Sequence, residues 1–203
     1  MPLTPPETIR ASMRLDARTG GLLGFAAIAT WTLLYLVAVA STPTYTITGS
    51  YLSDLGNPNA PAPWAFNAAD ILGGILFVPF GLVVGRTVGG RAGRVAQVLL
   101  PISAVGLIFV GIFPEGSPYS LHTIVSAVFF LLLAVSAGVV GFPMYSSRTF
   151  RPLGGYLAGV TVASAVAFLV TSDQLLEHVV VYAALVWQAW TAWRIYGSAP
   201  PAA

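Results

Sequence analysis

The chain has 203 residues, 56% of them hydrophobic and 8% charged, with a formal net charge of +2. So few charges cannot cover a water-soluble surface, and so much apolar residue exceeds the need of one core, which points to an integral membrane protein. No cysteine is present, so disulfides and thiolate metal sites are excluded. All nine basic residues are arginines, scattered between apolar runs and not gathered with aromatics as nucleic-acid binding would require.

Residues 1–19 read as a polar cytoplasmic leader. Pro2, Pro5 and Pro6 are followed by Arg10, Arg14 and Arg18, and the stretch from Glu7 onward is free of proline and suited to an amphipathic surface helix. The first apolar run, 20–40, ends on Ala38-Val39-Ala40, which imitates a signal-peptidase site, but it is longer than a signal's apolar region and predicts an uncleaved helix. A loop over 41–63 contains Gly49-Ser50-Tyr51-Leu52-Ser53-Asp54-Leu55-Gly56-Asn57 and then Pro58, Pro61 and Pro63, whose spacing forbids a regular helix. Further spans are predicted over 64–84, 95–113, 119–142, 153–170 and 175–196, with Pro101 as a kink and Trp64 at an interface. Arg86, Arg91 and Arg94 fall in a glycine-rich turn, 114–118 is a tight turn, 171–174 has capping-box character, and 197–203 is a flexible tail.

The predicted fold is therefore all-α: a polytopic six-transmembrane-helix bundle over 20–196. With six spans all nine arginines fall on one side, which the positive-inside rule makes cytoplasmic, so both termini are expected inside a plasma membrane. The lysine-free, arginine-only composition suggests a GC-rich, prokaryotic source. Asp54, Asp70, Glu115, Asp173, Glu177 and both histidines gather at the opposite side.

This gathering supplies the candidate site. Asp70 lies within the second span, where a carboxylate is costly unless it meets a partner or a wet cavity, and Asn67 and Gly74 share its helix face. Ser50, Ser53 and Asp54 form a polar island whose alternative reading is a turn or cap. Glu115 and His122 bracket the start of the fourth span, with Ser126 one turn beyond the histidine; a shared reach of His122 and Asp70 is expected. Asp173, Glu177 and His178 open the last span, where acids also complement a helix dipole. The ligand-binding candidates are thus Ser50, Ser53, Asp54, Asn67, Asp70, Glu115, His122, Asp173, Glu177 and His178, with His122 and Glu177 as candidate general bases. No metal-ligand spacing and no nucleophile elbow is present, and no cofactor is expected. Trp187, Trp190 and Trp193 read as an aromatic belt and packing.

Ser50-Tyr51-Leu52-Ser53-Asp54-Leu55-Gly56, then Gly111-Ile112-Phe113-Pro114-Glu115 with His122, then Glu177 with Trp187 resemble, in order, elements of a prokaryotic six-helix membrane family, the domain of unknown function 998. More distantly the same order is similar to the Frag/DRAM/Sfk membrane proteins, with Asn67 as a further match, and that likeness implies lipid-linked roles. Four functions remain open. The first is a lipid-interacting protein whose outer polar pocket takes a headgroup; the second is an intramembrane hydrolase or transferase using His122 or Glu177. The third is a small carrier; the fourth is a structural subunit with a protein partner or a second copy.

Overall fold

The structure is a computed structural model that describes residues 15–199. The predicted leader helix, with Arg10 and Arg14, and residues 200–203 of the tail lie outside the described residues. Among the described residues six helices follow one another: α1 (Ala17–Ala40), α2 (Pro63–Val88), α3 (Gly90–Ile112), α4 (Leu121–Ser146), α5 (Arg151–Thr171) and α6 (Gln174–Tyr196). Two short 3₁₀ turns, Leu52–Gly56 and Pro118–Ser120, interrupt the loops.

Local chemistry starts and stops these helices. Asp16 accepts the Thr19 N–H at 2.6 Å and opens α1, an interaction that lowers its carboxyl pKa. Asp173 does the same for α6 through the Leu176 N–H at 3.1 Å, and Pro63 supplies the first residue of α2. Between α2 and α3 stands Gly89 at φ +71°, a conformation that glycine adopts without strain. The sequence places a longer turn here. Instead the reversal occupies one residue, so α2 runs on to Val88 and Arg91 and Arg94 belong to the first turns of α3. Such a tight reversal brings the two helices into backbone contact at Gly85 and Gly93. α3 also continues through Pro101, and α4 extends to Ser146 through Pro143.

Each helix packs against its neighbours in the chain, and α1 packs against α6, so the six form a closed ring with α2 also touching α4 and α6. Small residues allow the close approaches. A Cβ on Gly20 would lie 2.5 Å from Val83, one on Gly21 2.9 Å from the Ala192 carbonyl, and one on Gly74 2.7 Å from the Ala104 carbonyl. Arg18, Arg86, Arg91, Arg94, Arg148, Arg151 and Arg194 all sit at one end, hereafter the arginine end. The opposite, acidic end carries the 41–62 loop and the corners after α3 and α5. Large apolar side chains such as Leu33, Leu131, Phe142 and Val170 stay exposed on the outside of the ring, as a protein solvated by lipid requires.

Five of the six helices are long and apolar enough to cross a membrane. The sixth, α6, has 23 residues, enough for about 35 Å, but Gln174, Glu177, His178, Gln188 and Arg194 make it less apolar. It is the helix that brings most polar groups into the ring.

Candidate functional site

Six of the hydroxyls within the helices satisfy themselves. Thr87, Ser136, Thr161, Ser164, Thr171 and Thr191 each donate to the carbonyl four residues back, so they need no tertiary partner. Carboxylates cannot do this, and an imidazole can do so through only one of its two nitrogens, so these groups decide the polar architecture of the acidic end.

The Ser53-Asp54-Leu55-Gly56 segment is a 3₁₀ turn anchored from both sides. Leu52 and Leu55, 3% and 1% exposed, sink into an apolar cluster with Trp31, Tyr35, Ala65 and Phe66. The free N–H groups at the start of the turn need acceptors. Asp54 accepts the Tyr51 N–H at 2.8 Å, and Glu177, 125 residues away on α6, accepts the Leu52 N–H at 2.5 Å with Ser53 beside it. At the other end of the turn Asn67 of α2 donates to the Gly56 carbonyl at 3.1 Å, and a Cβ on Gly56 would collide with the Asn67 side chain. Tyr51 reaches the Ser172 carbonyl at 2.8 Å. One short loop thus ties α1, α2 and α6 together.

Beneath that turn lies a cavity inside the ring, about 60 Å³ of space for water centres, which is room for roughly four waters. Asp70 and Glu177, 2% and 6% exposed, both line it, with Ser53, Ser126 and Gln188 as further polar groups. The rest of its wall is apolar and aromatic, including Trp31, Phe66, Phe77, Phe129 and Phe130. Asp70 is about 10 Å along α2 from Pro63 and takes one hydrogen bond, from the Trp31 indole N–H at 2.8 Å. A second cavity, lined by Ser103, Trp187, Gln188 and Thr191, continues toward the arginine end and shares Phe77, Leu107, Phe129, Leu133 and Gln188 with the first.

Elsewhere at this end the polar residues form separate pairs. His122 lies 2.9 Å from the Phe113 carbonyl through Nδ1, and its Nε2 is 3.3 Å from Glu115 and 3.4 Å from Ser126. His178 Nδ1 faces the Gln174 carbonyl at 2.8 Å and so carries hydrogen; its Nε2 therefore accepts from the Tyr45 hydroxyl. Burial pushes the Tyr45 hydroxyl pKa up to about 12, which keeps it a donor. Next to this pair Tyr35 and Tyr182 join their hydroxyls at 2.6 Å.

The ten sequence candidates therefore divide. Ser53, Asp70 and Glu177 line the inner cavity. Ser50 and Asp54 line a shallow outer basin with Thr42, Tyr45 and Asn59, so Asp54 is a turn acceptor and does not share a pocket with His122 and Glu177. Asp173 is an exposed helix cap, Asn67 braces the turn, and His178 is a buried link to the loop. Glu115 and His122 pair with each other, and the bond partners of His122 do not include Asp70. Trp187 is buried and Trp190 donates to the Phe150 carbonyl, leaving Trp193, half exposed, in the belt role.

Sequence reading missed Trp31, Tyr45 and Gln188. An indole in the middle of an apolar span is itself a signal, because its N–H needs an acceptor that hydrocarbon cannot supply. Among the described residues no three His, Asp or Glu side chains gather closely enough to hold a metal ion.

A closed ring of apolar helices, with its charges confined to the ends and one cavity, defines a polytopic α-helical membrane protein. A family model described as "Protein of unknown function (DUF998)" matches residues 25–194, and the chain belongs to that family. No curated protein and no solved structure matches it.

Proposed function

We propose that this chain is a multi-pass protein of a prokaryotic plasma membrane, with both termini cytoplasmic, that binds a lipid or similar amphiphile through an amine- or hydroxyl-bearing headgroup. The observation that carries this reading is the pair of buried carboxylates, Asp70 and Glu177, on the wall of one largely aromatic cavity. Carboxylates in hydrocarbon are costly without donors or a cation. The described arginines lie at the other end of the ring, so none serves this pair. Each carboxylate has one strong donor, Trp31 or Leu52, leaving acceptor capacity toward the cavity. Aromatic faces beside carboxylates suit a cationic head, and the apolar wall suits a chain.

The hydrolase or transferase reading has less support, because His122 and Glu177 bond to different partners, and although Ser126 lies 3.4 Å from His122 Nε2, Glu115 meets that same nitrogen while Nδ1 faces the Phe113 carbonyl, so serine, histidine and acid do not form a relay. The carrier reading has no carboxylate or histidine along the arginine-end halves of the described helices.

Native mass spectrometry of the purified protein tests the proposal. A retained amphiphile with an amine or hydroxyl headgroup is expected, lost in Asp70→Asn and in Glu177→Gln. Retention unchanged in both variants, or a wild-type protein free of bound amphiphile, overturns it.

A further inference from the structure

The corner between α3 and α4 holds titratable groups that ligand binding does not use. His122 is 7% exposed, and its two nitrogens have different surroundings. Nδ1 lies 2.9 Å from the Phe113 carbonyl, which can only accept, so Nδ1 keeps its hydrogen in both charge states. Nε2 is then the atom at which a proton comes and goes. Its two polar neighbours lie on different sides of the wall. Glu115, 3.3 Å away, has a side chain 39% exposed at the acidic end. Ser126, 3.4 Å away, lines the cavity that also holds Asp70 and Glu177. One imidazole nitrogen thus stands between surface water and the cavity.

We infer that Glu115, His122 and Ser126 form a proton-entry path from the acidic-end surface into the cavity of Asp70 and Glu177. A proton from bulk water is taken by the Glu115 carboxylate and passes to His122 Nε2, which gives an imidazolium still bonded to Phe113 through Nδ1. The Nε2–H is then donated to the Ser126 hydroxyl oxygen, which releases its own hydrogen to cavity water. The cavity has room for roughly four waters, enough to carry the proton on to the Asp70 carboxylate. The net change is one proton moved from bulk to Asp70, with Glu115, His122 and Ser126 returned to their starting states.

The helices α3 and α5, which pack against α4, add no titratable group at the acidic end among their described residues. The titratable groups of α3 are Arg91 and Arg94 and those of α5 are Arg151 and Tyr156, all at or toward the arginine end. Asp70 on α2 and Glu177 on α6 face the cavity from its other walls. The inference does not depend on the identity of any ligand.

A rapid pH drop on the full chain in phosphatidylcholine nanodiscs, followed by time-resolved infrared detection of the carboxyl C=O band, tests it. The band is assigned by its loss in Asp70→Asn. Protonation of Asp70 is expected to slow on the order of a hundredfold in His122→Phe, the lower part of what a positioned proton donor contributes, and to slow also in Ser126→Ala. If His122→Phe does not fold, Ser126→Ala together with Glu115→Gln, both at partly exposed positions, decides the matter. Unchanged rates in folded variants, or no Asp70 band responding to pH, overturn the path.

Discussion

The bond between Glu177 and Leu52 is the strongest test of how the acidic end is held. Glu177 is 6% exposed, and its carboxylate accepts a backbone N–H at 2.5 Å from a turn that has no other acceptor for it. Glu177→Ala removes a charge-assisted hydrogen bond and leaves the Leu52 N–H buried and unpaired. A charged bond is worth about 1.5–3 kcal/mol, whereas an average interhelix bond in a bilayer is worth about 0.6 kcal/mol. The Leu52 N–H belongs to a buried turn and has no helix of its own to fall back on, so a value near the charged range, about 2 kcal/mol, is expected. At about 2–4 °C per kcal/mol for a chain of this size, the melting temperature should fall by about 4–8 °C. Glu177→Gln keeps an acceptor oxygen in place and should cost about half as much. Because the bond closes a loop over the ring, local opening should report it too. The chain has no cysteine, so a single Cys at Ser53, 8% exposed, is a clean probe. Its maleimide labelling should accelerate about thirtyfold in Glu177→Ala, the factor that 2 kcal/mol gives when labelling follows opening. An equal melt for the Ala and Gln variants, with labelling unchanged, would refute the reasoning.

Other outcomes follow from the same geometry. Trp31→Phe leaves the Asp70 carboxylate without its donor and should cost about 1–3 kcal/mol; Asp70→Asn should then cost less in that background than alone, as a double-mutant cycle of melts would measure. Gly85→Ala should destabilise by about 1–3 kcal/mol, because its Cβ would stand 2.6 Å from the Gly93 carbonyl, while Gly159→Ala, with open space around it, should stabilise α5 by up to about 1 kcal/mol; denaturant melts distinguish them. An impermeant maleimide applied to intact cells should label Cys introduced at Thr44 and reach Cys at Ser146 only after permeabilisation, and the reverse pattern overturns the N-in, C-in topology.

The membrane class and the helix count follow from the sequence alone. The reason is that hydrocarbon requires every backbone group to be paired within its own segment, so spans announce themselves as long apolar runs between polar turns. The cost of a charge in hydrocarbon likewise marks Asp70 and Glu177 by their positions within apolar runs. The breadth of the α2–α3 turn does not follow, because three arginines and four glycines fit either a loop or helix ends, and only the backbone contact of Gly85 with Gly93 selects the latter. Nor does the sorting of the acidic-end residues. Asp54, Asp173 and Glu177 look alike in sequence, as acids beside helix starts. One becomes an acceptor within its own turn, one an exposed cap, and one reaches across the ring to the Leu52 N–H. Local spacing fixes the first two, since their partners lie three residues away. The third depends on closure of the ring between α1 and α6, which sets a group on the last helix beside a turn more than a hundred residues earlier and only tertiary packing can decide.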